Sequence, residues 1–157
     1  MRPLVVSYLS AAAELCGCYP LITGNSVERA GGGVCVVDST FTMKSGTITG
    51  NSAYSDGGGG VGITDSTFTM LGGSITSNSA ELEDGGGVYV YKGGTFTMKS
   101  GTITDNSAGK AGGGVCVYKD GTFIMDDGTI TGNSAYSCGG VGVYEDGTFM
   151  MSGGTIS

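Results

Sequence analysis

The stretch GGGVYVYKGGTFTMKSGTIT, residues 85–104, is written about five times over in this chain of 157 residues. Val34, Val61, Val88, Val115 and Val141 follow one another at steps of 27, 27, 27 and 26. Phe41, Phe68, Phe96, Phe123 and Phe149 step by 27, 28, 27 and 26, and Ile48, Ile75, Ile103, Ile130 and Ile156 do the same. Self-similarity at a fixed period of this size marks a repeat architecture.

Within one unit the residues predict three short strands, Val88-Tyr89-Val90, Thr95-Phe96-Thr97-Met98 and Thr102-Ile103-Thr104. Each alternates apolar with polar or variable positions, the period of a half-buried strand. Lys92-Gly93-Gly94, Lys99-Ser100-Gly101 and the segment from Asp105 to Gly114 separate them and are rich in turn formers. Three strands and three turns in one unit make one coil of an all-β, parallel β-helix. Five coils stacked roughly 4.8 Å apart give a rod about 24 Å long. The coils run approximately 21–47, 48–74, 75–102, 103–129 and 130–155. Like residues then lie over like, with Val, Phe, Met and Ile inward. A fifth column is Asn25, Asn51, Asn78, Asn106 and Asn133, always followed by Ser. Stacked asparagines can pass amide hydrogen bonds from one layer to the next.

Residues 1–20 fall outside the repeat and admit three readings. Leu4, Val5, Tyr8, Leu9, Ala12 and Leu15 suit a short cap over the first coil. Arg2 with the apolar run to Ala13 suits a secretion signal, within which Leu15-Cys16-Gly17-Cys18 is similar to a lipobox with Cys18 as the lipid-bearing residue. The third reading is arbitrary flanking sequence. The chain stops inside the third strand of a coil, at Ile156-Ser157. An uncapped stack offers backbone groups to another chain, so the expectation is either a fragment of a longer repeat protein or end-to-end self-association.

The net charge of −7, from 14 acidic and 7 basic residues with no histidine, argues against nucleic acid as a partner. No apolar run reaches the length of a membrane-spanning helix. The five cysteines are Cys16, Cys18, Cys35, Cys116 and Cys138. Cys35 and Cys116 share a column three coils apart, beyond the reach of a disulfide, so free thiols are expected.

The pattern GGGVxV…GTFTMxSGTITxNSA over residues 21–157 resembles the glycine-rich repeats of bacterial surface and secreted β-helix proteins. Among these it is similar to polymorphic outer membrane proteins and autotransporter passengers, within the pectate-lyase-like superfamily. Gly32-Gly33-Val34, Gly59-Gly60-Val61, Gly86-Gly87-Val88, Gly113-Gly114-Val115 and Gly139-Gly140-Val141 match that class. Its companion FxxN is not matched, since Phe41-Thr42-Met43-Lys44 ends in lysine. The resemblance implies a right-handed helix, an extracellular or cell-surface location in a bacterium, and a scaffold used in adhesion.

The same superfamily contains polysaccharide-cleaving enzymes that cluster carboxylates and a basic residue on one face. Asp38 and Asp65 line up after the first strand, and Asp120 and Asp146 fall near the same turn, offset by one residue. No arginine accompanies them, which leaves nothing to separate their acidities. The acidic turns Asp126-Asp127 and Glu81 to Asp84 lack the repeat of calcium β-rolls. The glycine runs lack a phosphate-loop lysine. No catalytic, metal or cofactor site is therefore expected.

The outward positions hold more promise. Thr40/Thr42, Thr67/Thr69 and Thr95/Thr97 flank the phenylalanines, and Thr47/Thr49, Ser74/Thr76, Thr102/Thr104 and Thr129/Thr131 flank the isoleucines. Such a Thr-x-Thr grid resembles the face of β-helical antifreeze proteins, which makes ice the alternative ligand. Threonine is also simply a favoured strand residue whose ladders stabilise sheets. Tyr89, Tyr91, Tyr118 and Tyr144 are expected to stand outward near the Cys35/Cys116 column, as contacts for a protein or glycan partner.

Overall fold

In the computed structural model, residues 13–15 and 20–157 are described. The remaining parts of the cap, signal and lipobox readings, with Cys16 and Cys18, lie outside the described residues. The chain winds as a parallel β-helix whose strands form four sheets, every pairing parallel and one repeat apart.

The valine sheet stacks Val34–Val37, Val61–Thr64, Val88–Tyr91, Val115–Tyr118 and Val141–Tyr144. The phenylalanine sheet runs from Thr40–Met43 to Thr148–Met151, and the isoleucine sheet from Leu21–Thr23 to Thr155–Ile156. These are the three expected strands of each coil. A fourth strand, two to five residues long, follows each asparagine, as in Ser79–Ala80 and Ser107–Ala111. Its shortness hid it, because two residues cannot display an alternation. Ala13–Leu15 adds a sixth strand to the phenylalanine sheet, pairing with Phe41–Met43.

The interior is solid. Val34, Phe68, Met70, Ile75, Val88, Phe96, Met98, Ile103 and their equivalents are fully buried in one cluster. Phe68, Phe96 and Phe123 stack at 4.8 Å, with interplanar angles of 8° and 6°. That separation equals the strand spacing, so the backbone ladder sets the ring geometry. The asparagines point inward. Asn78 Nδ2 donates to Asn106 Oδ1 at 3.0 Å and to Ile48 O at 3.0 Å, and each neighbour repeats the pattern.

The glycine runs carry the ladder through the corner before each valine strand. Gly58, Gly59 and Gly60 donate to Asp84, Gly85 and Gly86 carbonyls at 3.1 Å, and Gly86 and Gly87 donate onward to the next coil. A Cβ at Gly86 would collide with the Ser107 carbonyl and approach Gly113 O to 2.6 Å. Only a residue without a side chain lets the backbones come so close.

Candidate functional site

Alternation along the strands puts Phe and Ile inside and threonine outside, and the parallel register converts this into columns. On the isoleucine sheet one column is Leu21, Thr47, Ser74, Thr102, Thr129 and Thr155, and the other is Thr23, Thr49, Thr76, Thr104 and Thr131. The second is lengthened by a 2.9 Å hydrogen bond between the Thr131 and Ser157 hydroxyls. On the phenylalanine sheet, Thr40, Thr67, Thr95, Thr122 and Thr148 form an unbroken column. Its companion runs from Glu14 through Thr42, Thr69 and Thr97 and ends in Ile124 and Met150. All the threonines singled out from the sequence fall in these rows. Thr23, Thr122, Thr148 and Thr155 belong to them too, and the repeat alignment alone was enough to find them.

The acidic turn is arranged as expected, with Asp120 and Asp146 one residue beyond the position of Asp38 and Asp65. Asp38, Asp65, Lys92, Lys119 and Glu145 share a left-handed turn position with φ between 42° and 49°. Asp120 and Asp146 occupy the next position, at 59° and 62°. Asp38 and Asp65 border an open polar depression of about 330 Å³ with Ser39, Thr40, Ser66 and Thr67. No basic side chain lines it. Among the described residues, no group of three His, Cys, Asp or Glu is placed to hold a metal ion.

Around the valine sheet the tyrosines are less uniform than expected. Tyr91, Tyr118 and Tyr144 are in register. Tyr91 stacks on Tyr118 at 6.1 Å and on Tyr89 at 5.7 Å. Tyr89 points away from the core, in register with Cys116, but like Tyr91, Tyr118 and Tyr144 it is half-buried and not the exposed contact expected of it. The turn at Gly57 and Asp84 folds over that face: a Cβ on Gly57 would lie 3.2 Å from the Tyr89 ring. Burial pushes the Tyr89 hydroxyl and the Cys116 thiol well above their usual values, and Cys116 is fully covered.

The reason lies in the fourth strand. In the last two coils it lengthens to Ser107–Ala111 and Ser134–Ser137, and its outer end runs beside the valine sheet. A cleft of about 290 Å³ opens between the two, lined by Asp84, Lys110, Tyr118, Tyr136, Ser137 and Tyr144. Asp84 is held above the usual carboxylate range by burial, although its Oδ1 accepts from Ala111 N at 2.9 Å. Lys110 Nζ is taken by Glu83 at 2.7 Å. Tyr118 donates to Glu145 Oε1 at 2.6 Å, which holds the phenol up at about 12. Tyr136 stands 94% exposed at the mouth.

Cys138 replaces the first glycine of the GGG run and keeps its left-handed backbone, at φ 56° against 62° for Gly112. At Gly112 a Cβ would sit 2.7 Å from the Cβ of Cys116, four residues on. Four residues after Cys138 stands Gly142, so the side chain finds room. The Tyr144 and Ser137 hydroxyls lie 3.5 Å from its sulfur and lower the thiol's pKa. Asp84 was legible only as part of the acidic turn from Glu81 and Cys138 only as a cysteine, while Tyr136 carried no signal beyond lying in a variable turn.

A family profile described as "Right handed beta helix region" matches residues 10–157. The chain therefore belongs to the right-handed β-helix family, and its coils are right-handed. No curated protein and no solved structure matches it.

Proposed function

We propose that this chain is a non-catalytic structural and interaction module, a β-helical segment of a bacterial surface or secreted protein that works in adhesion. The observation that carries this reading is the set of outward threonine and tyrosine columns. They are repeated at the coil spacing on a fully buried core. A solid stack of this kind presents side chains at fixed intervals, so a partner meets them with little ordering cost left to overcome. A protein or glycan surface is the partner class that hydroxyl rows and tyrosine rings suit.

The purified chain is expected to bind an array of extracellular glycans or matrix proteins and to leave polygalacturonate intact. Release of unsaturated or reducing ends, abolished by Asp38→Asn or Asp65→Asn, would replace this reading with that of a polysaccharide-cleaving enzyme.

A second reading is favoured by the isoleucine sheet, whose outward columns hold threonine or serine at every position from Thr47 to Thr131. A grid of hydroxyls at strand and coil spacing suits an ordered water lattice. On that reading, ice crystals grown with the protein are faceted and show thermal hysteresis, and Thr104→Leu with Thr131→Leu reduces both. The same double variant retains its fold, because both side chains point away from the core. Absence of hysteresis at millimolar protein ends the ice reading.

A further inference from the structure

The column Tyr91, Tyr118, Tyr144 contains two intervals, and the protein fills them differently. In the first, Tyr91 and Tyr118 stack, and Lys119 Nζ lies 5.6 Å from both ring centroids, with Lys92 Nζ 5.4 Å from the Tyr91 ring. The chain's own ammonium groups thus sit against the negative faces of these rings. In the second interval the rings do not stack. Gly142 has no side chain, and the Tyr144 ring settles over it: a Cβ there would lie 2.9 Å from Tyr144 Cε2. The lysine position is also lost, for Glu145 follows Tyr144 where Lys119 follows Tyr118. The result is the cleft between Tyr118 and Tyr144, with Tyr136 at its mouth.

The charges around this cleft are of both signs, with the acidic groups in excess: Lys119 Nζ lies 5.6 Å from the Tyr118 ring and Lys110 lines the wall. Asp84 lines it, Glu145 is bonded to Tyr118, and Glu83 neutralises Lys110, the one cationic side chain on its wall. Asp84 and Glu145 raise the Tyr118 phenol further, consistent with a negative local potential.

We propose that the cleft bounded by Tyr118, Tyr136, Tyr144 and Asp84 binds an organic cation, an alkylated ammonium group of the trimethylammonium kind. Three tyrosines line the cleft and offer aromatic surface to a soft, weakly hydrated cation, and the Asp84 carboxylate supplies the counter-charge. A volume of about 290 Å³ accommodates such a head group. A neutral sugar also packs on tyrosine and donates its hydroxyls to carboxylates, but it carries no charge for them to attract, and the saccharide arm below separates the two. The site shares Tyr118 and Tyr144 with the columns of the adhesive reading above, but it concerns a single interval between them and a small ligand, so either can fail without the other.

The test is titration of the whole chain with choline and with tetramethylammonium, followed by calorimetry and by tyrosine ring NMR shifts. Binding in about the millimolar range is expected, with shifts confined to Tyr118, Tyr136 and Tyr144. The neutral isostere 3,3-dimethyl-1-butanol should bind about tenfold more weakly. Tyr136→Ala, at a side chain with no packing role, should weaken choline about two- to fivefold, and Asp84→Asn should do so as well. A parallel arm with phosphatidylcholine vesicles identifies the source: co-sedimentation assigns a lipid head group, and its absence alongside choline binding assigns a free or otherwise carried cation. Equal affinity for the neutral isostere, preference for a neutral saccharide, or no binding at 50 mM choline (about ten times the upper expectation) would overturn the proposal.

Discussion

Replacing Asn106 by alanine should remove about 3–6 kcal/mol of stability, a large part of what a domain of this size possesses. Asn106 is fully buried. Its Oδ1 accepts from both the backbone N and the Nδ2 of Asn78, at 3.0 Å each. Its own Nδ2 donates to Ile75 O at 3.0 Å and to Asn133 Oδ1 at 2.9 Å. Alanine therefore leaves two donors of Asn78 and the Ile75 carbonyl without these partners, in a place water does not reach. Each buried orphan costs roughly 1–3 kcal/mol. Asn25 stands at the end of the same ladder, half-exposed, and its side chain makes a single bond to Asn51 Oδ1 at 2.9 Å. Asn25→Ala should cost about 1 kcal/mol. Urea unfolding midpoints at constant m-value give the comparison directly. Equal losses at the two sites would show that the asparagines do not act as a ladder.

Phe96→Ala is the second large effect, at about 3–5 kcal/mol. Its ring is sandwiched between Phe68 and Phe123 at 4.8 Å on either side and is fully buried. The hollow left behind is walled by backbone ladders that cannot collapse, so the cavity contribution stays with the mutant. Phe149 has one ring neighbour, Phe123 at 5.0 Å, and is only half-buried, so its truncation should cost about half as much. The columnar arrangement makes a further demand on pairs. Phe68→Ala with Phe96→Ala merges two hollows, and its cost should depart from the sum of the singles by more than about 0.5 kcal/mol. Phe41→Ala with Phe123→Ala, three coils apart, should add within about that margin. Additivity in both pairs would contradict a continuous ring stack.

These two columns were also the parts most open to reading in the sequence. Phenylalanine and asparagine recur once per coil because a parallel stack places each residue over its own repeat, and a stack rewards identical neighbours. The strands that alternate over three or four residues were legible for the same reason. The fourth strand was not, because Ser52–Ala53 and its equivalents are too short to carry a period. Its pairing is imposed by the strands on either side of it, not by its own residues.

The threonine rows divide along the same line. Their alignment follows from the repeat, but their degree of exposure does not: Thr40 and Thr67 are exposed, whereas Thr42 and Thr69 are half-buried. The tyrosines diverge further. Tyr89 was expected outside and lies half under the Asp84 turn. Tyr118 and Tyr144 repeat one motif but face different surroundings, since Cys116 precedes the first by two residues and Gly142 the second. Periodicity describes what the coils share, while a site is made by what one coil does differently.

The sequence by itself determined the all-β class, the coil length, the identity of each interior column and the outward hydroxyl rows. All of these depend on a residue and its copies one period away, and that relation is written in the chain. Only the tertiary structure decided which way the asparagines point, that the glycine corners continue the backbone ladder, and that a tyrosine-walled cleft opens in the last two coils. Those features depend on contacts between a variable turn and the outer face of a different strand. No period connects such partners, and only the packed chain brings them together.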